Sequence, residues 1–309
     1  MKRMLQSLAI MVTLAAPLAA HAEKVGMSLG SSNLFLVVMR NGMADYAKTL
    51  PGVQVQFEDA QNDVAKQLNQ VQNFIAQKVD AIIVNPVDSD STPKMTKLAT
   101  AAGIPLVYVN EAPGDKTLPP KTAFVGSNEA DSGTLEMKEV CRLLNGKGNI
   151  VVLMGTLSNE STRQRTQDVK DVISKPPCNG IKILDAQTAN WDRTKAIDLM
   201  NNWMSAGLKF DAVVANNDEM AIGAIQALKA GKKFDKNTIV AGIDATQDGL
   251  AAMKAGDLKV TVFQNGPGQG RAALDAALKL AKGQTVDSKI WIPFELVTPA
   301  NLDKFSGKN

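Results

Sequence analysis

Along this chain the spacing of apolar positions switches repeatedly between short continuous runs and helical periods. The change is plainest in the stretch 210–228. The apolar run 211–215, with its β-branched residues, predicts a buried strand, and Met220, Ile222, Ile225 and Leu228 then follow helical spacing. Between them lies Asn216-Asn217-Asp218-Glu219, a polar group at the carboxyl end of a strand. Such a position is where ligands bind in open α/β sheets, because the helix start offers free N–H groups and the strand ends frame a crevice. Helix capping by Asn217 or Asp218 is the competing reading, although four consecutive polar residues exceed what a cap needs.

The same reading extends along the chain. Strands are predicted at 24–29, 53–58, 81–85, 104–109, 149–154, 181–186, 212–215 and 259–264. Helices are predicted at 35–49, ended by Pro51-Gly52; at 64–77, with Leu68, Val71, Phe74 and Ile75 on one face; and at 93–102, stopped by Gly103. Others follow at 131–144, 162–174, 193–205 and through Lys282. Alternation of this kind implies an α/β fold, parallel sheets flanked by helices with right-handed crossovers. An internal echo adds to it. Asp59-Ala-Gln-Asn62, a helix, then 79–86 ending in Asn85-Pro86 parallels Asp185-Ala-Gln-Thr188, a helix, then 210–217 ending in Asn216-Asn217. Two similar lobes facing one another across a cleft would have this pattern.

The amino end reads differently. Lys2 and Arg3, the apolar stretch 4–19 and Ala20-His21-Ala22 form a charged, an apolar and an A-x-A segment, so a secretory signal peptide cleaved after Ala22 is expected, with export to the periplasm. Cleavage removes the only histidine, His21, and with it the Ser-His dyad and the usual zinc designs. The formal charge of +3 falls to +1 when Lys2 and Arg3 leave, so no nucleic acid is expected as partner. At 309 residues, 45% hydrophobic and 21% charged, the chain suits two globular domains. Cys141 and Cys178 are either a disulfide, favoured by an oxidising compartment, or two buried thiols.

Asp59-Ala-Gln-Asn62, Asn85-Pro-Val-Asp-Ser-Asp90, Gln187-Thr-Ala-Asn-Trp-Asp-Arg193, Asn217-Asp-Glu-Met-Ala221 and Ala241-Gly-Ile-Asp-Ala-Thr246 together carry a resemblance over the whole mature chain. It resembles the periplasmic sugar-binding proteins of the ribose-binding class, the type I two-lobed receptors of ABC importers, and within them the inositol and cyclitol binders. The resemblance implies a three-strand hinge joining lobes at 23–127 plus 265–291 and 128–264 plus 292–309, with rotation near Ser127, Gln264 and Trp291. It implies a monomer that is not an enzyme, needs no cofactor or metal, and hands a polyhydroxylated ligand to a permease in the inner membrane.

Such a ligand presents hydroxyl rims and apolar C–H faces, which call for amides, carboxylates and guanidinium on the one hand and aromatic rings on the other. The family's pocket positions fall on Asn33 and Phe35, on Asn110 and Glu111, on Arg165, Trp191, Asn217 and Asp244, and on Gln264. Each has a structural alternative: Phe35 and Trp191 as core, Arg165 paired with Asp168, and Asp244 capping the helix near Gln247. Leu36 stands where ribose receptors often carry a second aromatic ring. Asn110-Glu111 replaces the Asp-Arg usual in ribose-type relatives. An unpaired carboxylate there would favour an amino-bearing ligand such as an aminocyclitol, unless Glu111 turns outward to a lysine. Gly266-Pro-Gly-Gln-Gly270 lacks the spacing of a nucleotide loop and is expected to be the hinge turn and the start of the helix through Lys282.

Two other classes fit parts of the pattern. An exported hydrolase would use Glu111, Asp218 and Asp244 as acid and base. A sugar or signal receptor for chemotaxis would share the scaffold. A repressor of the same fold would need a helix-turn-helix where the leader stands.

Overall fold

The computed structural model describes residues 22–235 and 237–309; the leader expected at 1–22 lies outside them, Ala22 excepted. The first part contains β1 (Glu23–Leu29), α1 (Leu34–Lys48), β2 (Val53–Asp59), α2 (Val64–Ala76), β3 (Ala81–Val84), α3 (Thr92–Ala102), β4 (Leu106–Val109) and β5 (Thr122–Gly126). The second runs through α4 (Glu129–Leu143), β6 (Lys147–Met154), α5 (Glu160–Ile173), β7 (Gly180–Thr188), α6 (Arg193–Ser205), β8 (Ala212–Ala215), α7 (Asp218–Ala230), β9 (Ile239–Ala241) and α8 (Gln247–Lys254). Last come β10 (Thr261–Gln264), α9 (Gly266–Ala281), β11 (Lys289–Trp291) and β12 (Phe294–Val297).

Two parallel sheets result. One has the order β11-β5-β4-β3-β1-β2, the other β7-β6-β8-β9. Isolated parallel bridges, Ala241 with Val260 and Asp244 with Phe263, carry the second sheet on to β10, which pairs antiparallel with β12. The chain passes between the sheets three times: from β5 to α4, from β10 to α9, and from β11 to β12. This is the two-lobed α/β architecture that the alternation implied.

Each sheet is covered on both faces, which explains why its strands read as continuous apolar runs. In the first lobe Ile83 and Val107 meet Met39, Met43 and Leu274 from α1 and α9, whereas Ile82 and Val84 meet Val71, Phe74 and Met95 from α2 and α3. In the second, Val151 and Val213 meet Met200 and Met220, whereas Val152 and Val214 meet Met137 and Val169. The internal echo has a structural counterpart. The Asp80 and Asp211 carboxylates each accept from the backbone N–H at the start of the neighbouring strand, Lys24 and Asn149, both at 2.7 Å. Asn85 and Asn216 each accept, at 3.2 Å, from a glycine N–H beyond that strand's end, Gly30 and Gly155.

Two helix starts change. Helices α4 and α5 begin at Glu129 and Glu160, two residues earlier than their apolar spacing predicted. Asn128 and Asn159 are extended in front of them, and the glutamates enter the first turn, where the helix dipole favours a negative charge. The glycines at 266–270 form the start of α9, as expected, and they also serve its packing. A Cβ at Gly270 would lie 2.4 Å from the Met39 carbonyl oxygen, and one at Gly42 would lie 2.5 Å from Pro267. They allow α1 and α9 to pack closely. Cys141 of α4 and Cys178, before β7, are disulfide-bonded with Cα atoms 5.7 Å apart.

Candidate functional site

The strands of both sheets end facing a shared cavity, and all nine residues singled out above line it. From the first lobe come the loops after β1 and β4. Asn33 is the N-cap of α1, its Oδ1 accepting from Leu36 N–H at 2.9 Å. Phe35, in the first helical turn, is buried against the core and also touches the cavity, so its two readings hold together. Leu36 lies beside it on the wall. Asn110 sits at a left-handed φ of 67°; its amide donates to Gln269 and its Oδ1 accepts from Asn85, each at 3.2 Å.

The second lobe supplies the charge. Arg165 is buried, and it does not pair with Asp168, which accepts from Gln164 instead. Its guanidinium forks onto Glu129 at 2.7 and 3.1 Å and donates to the Asn216 carbonyl at 2.7 Å. Burial opposes its charge, but the Glu129 carboxylate outweighs that and raises its pKa above the ordinary guanidinium value. The Trp191 ring lies over this cation, 5.6 Å from its centroid, and donates from Nε1 to Asn159 Oδ1 at 2.9 Å. A Cβ at Gly155 would fall 2.2 Å from the indole, so only glycine leaves room for that ring. Asn217 caps α7 through Met220 N–H at 3.0 Å while still facing the cavity, so capping and lining coexist.

Asp244, buried at a φ of 124°, is not a helix cap; Thr246 caps α8. Among the described residues its carboxylate takes no side-chain hydrogen bond, and burial raises its pKa well above the usual carboxylate range although Arg165 opposes this. Gln264 accepts weakly from Arg165 at 3.5 Å and its buried Nε2 has no protein partner. These two groups have hydrogen-bonding capacity that the protein leaves unused. Asn309 holds the backbone behind them, its amide donating to the carbonyls of Asp244 and Gln264 at 2.7 and 2.8 Å.

Glu111 differs from expectation. It is buried, turned to no lysine, and not unpaired. Ser161 donates to it from the backbone at 3.1 Å and from the hydroxyl at 2.6 Å, and the Ser89 hydroxyl at 3.2 Å. The premise that this carboxylate is unpaired is therefore corrected; the unshared carboxylate is Asp244. Asp218, the third acid of the hydrolase reading, is fully buried behind the wall, its oxygens engaged by Thr246 and Thr261. The sequence reading missed Glu129, Asn159 and Ser161. All three stand at helix starts after strands, the signal used at Asn217, but the helices were predicted to begin past them.

The chain belongs to the family of the periplasmic binding protein domain, whose model matches residues 25–285. It is 61% identical to a Rhizobium meliloti protein assigned to rhizopine binding, across 94% of this chain and 95% of that one. A Bacillus halodurans ABC transporter solute-binding protein with bound myo-inositol superposes with a TM-score of 0.88 at 43% identity, covering 94% of this chain and 99% of that one. The Caulobacter myo-inositol binding protein bound to myo-inositol gives 0.86 at 30% identity, covering 93% and 97%.

Proposed function

We propose that the protein captures a sugar or cyclitol between its lobes and delivers it unaltered to an ABC importer of the inner membrane, acting as an exported monomer. The observation that carries this reading is a cavity walled by both lobes, into which the strand ends of both sheets open. It sets the free acceptor of Asp244 and the free donor of Gln264 beside the Trp191 and Phe35 rings. Hydroxyl rims suit the first pair and C–H faces the second. The similarity to proteins holding myo-inositol makes a cyclitol the leading candidate.

In this reading Asn33, Asn110, Asn217 and Arg165 orient hydroxyls, and Glu111 closes the wall. The lobes are 23–127 plus 265–291 and 128–264 plus 292–309, turning about Ser127, Gln264 and Trp291. Ligand touching both lobes biases the closed form. Calorimetric titration of mature protein with myo-inositol, ribose, xylitol and an aminoinositol tests the proposal, with recovered ligand examined by mass spectrometry. Saturable binding of a cyclitol recovered unchanged is expected. Conversion of the ligand, or no binding of any polyol, would refute the reading.

A further inference from the structure

Three cross-lobe hydrogen bonds surround Glu111 without involving the free groups of the cavity. Glu111 follows β4 in the first lobe; Ser161 is in the first turn of α5 in the second. The carboxyl group accepts both the backbone N–H and the hydroxyl of Ser161, so it engages a free N–H of that helix start from the opposite lobe. Ser89 of the first lobe completes the cluster: its hydroxyl donates to Glu111 and accepts from Glu160 N–H at 3.3 Å. Around it a polar seam continues, with Asn159 Nδ2 donating to the Val87 carbonyl at 3.1 Å and Ser89 N–H to the Ser158 carbonyl at 3.4 Å.

We propose that Glu111 is a positioning residue: with Ser161 and Ser89 it clasps the two lobes in the closed register before any ligand arrives. The proposal rests on the two-lobed closure described above but on no particular ligand. A side chain whose two oxygens are taken by the opposite lobe does its work in the closed form, and these bonds break when the lobes part. A clasp of this kind raises the closed fraction of empty protein. Apparent affinity scales with that fraction, because ligand binds tightly only to the competent state. Either protonation state of the carboxyl keeps the contact, since the serine hydroxyls donate or accept as needed.

The test measures the distance between nitroxides at exposed Asp90 and Lys195, one on each lobe, by pulsed electron resonance in ligand-free protein. Glu111→Ala and Ser161→Ala are each expected to lose the short-distance population, and Glu111→Gln, which keeps an acceptor and gains a donor, to restore it. Myo-inositol affinity of Glu111→Ala should fall about 3–10-fold, with the saturated distance unchanged. Unaltered ligand-free distances in both alanine variants would overturn the clasp, even if myo-inositol binds. Shifted distances in a protein that binds no myo-inositol would uphold the clasp and reject the ligand assignment. A circular-dichroism melt run alongside separates opening of the lobes from unfolding.

Discussion

At the scale of single residues, the buried Arg165–Glu129 pair decides most of the site's geometry. A planar fork satisfies both carboxylate oxygens, the Asn216 carbonyl and the face of Trp191 at once. A lysine ammonium has no such fork. Arg165→Lys is therefore expected to weaken ligand binding by at least about tenfold and to lower unfolding free energy by about 2–4 kcal/mol, since it leaves Glu129 incompletely paired. Calorimetry and urea denaturation check the two numbers separately. Arg165, in α5, was singled out by the family resemblance, and polyol recognition gives the reason for a guanidinium there. Its partner was not legible, for Glu129 is 36 positions away and the apolar period placed it outside its helix.

Among the elements, α1 brings Phe35 and Leu36 to the cavity wall, and α9 packs against α1 behind it. Their close approach depends on missing side chains at Gly42 and Gly270. Gly270→Val should force them apart at the cost of about 1–3 kcal/mol, as overpacking of a filled interface does. A lowered denaturation midpoint is expected; an unchanged one would mean that the helices separate freely. The Cys141–Cys178 bond braces the other lobe by closing a separation of 37 residues. Loop-closure entropy assigns such a bridge about 3–4 kcal/mol. Helix and strand identities were readable because β-runs buried on both faces and one-sided helices differ in period. Helix starts were less so, because Glu129, Glu160 and Ser161 are polar and the apolar period says nothing about them.

For the molecule as a whole, folding and proton binding are linked. Burial lifts Glu111 to about 7, against the Ser161 hydrogen bonds, and lifts Asp244 well above its ordinary range. The charged groups facing Glu111 are Glu129 and Glu160, which push it further up, and Arg165. Glu136 and Asp218, buried in the second lobe, are raised by burial as well. A carboxyl whose folded pKa lies above its unfolded value contributes stability that is complete below about pH 4 and is lost as pH rises through the folded pKa. The melting temperature of ligand-free protein should thus fall between about pH 5 and pH 7.5, and Glu111→Gln should flatten part of that slope. Differential scanning fluorimetry across this range checks it; a temperature that climbs with pH would contradict the assignment.

Sequence alone determined that the chain alternates strands and helices into two alike halves, and which loops after strands carry amides, acids and rings. Those properties are local: a period of apolar residues, or a polar run beginning where one stops. Only the tertiary structure decided which polar groups are spent on the protein and which stay free. Glu111 and Ser161 are 50 positions apart and on different lobes. Their meeting depends on how three crossings set one sheet against the other, and no local period encodes that.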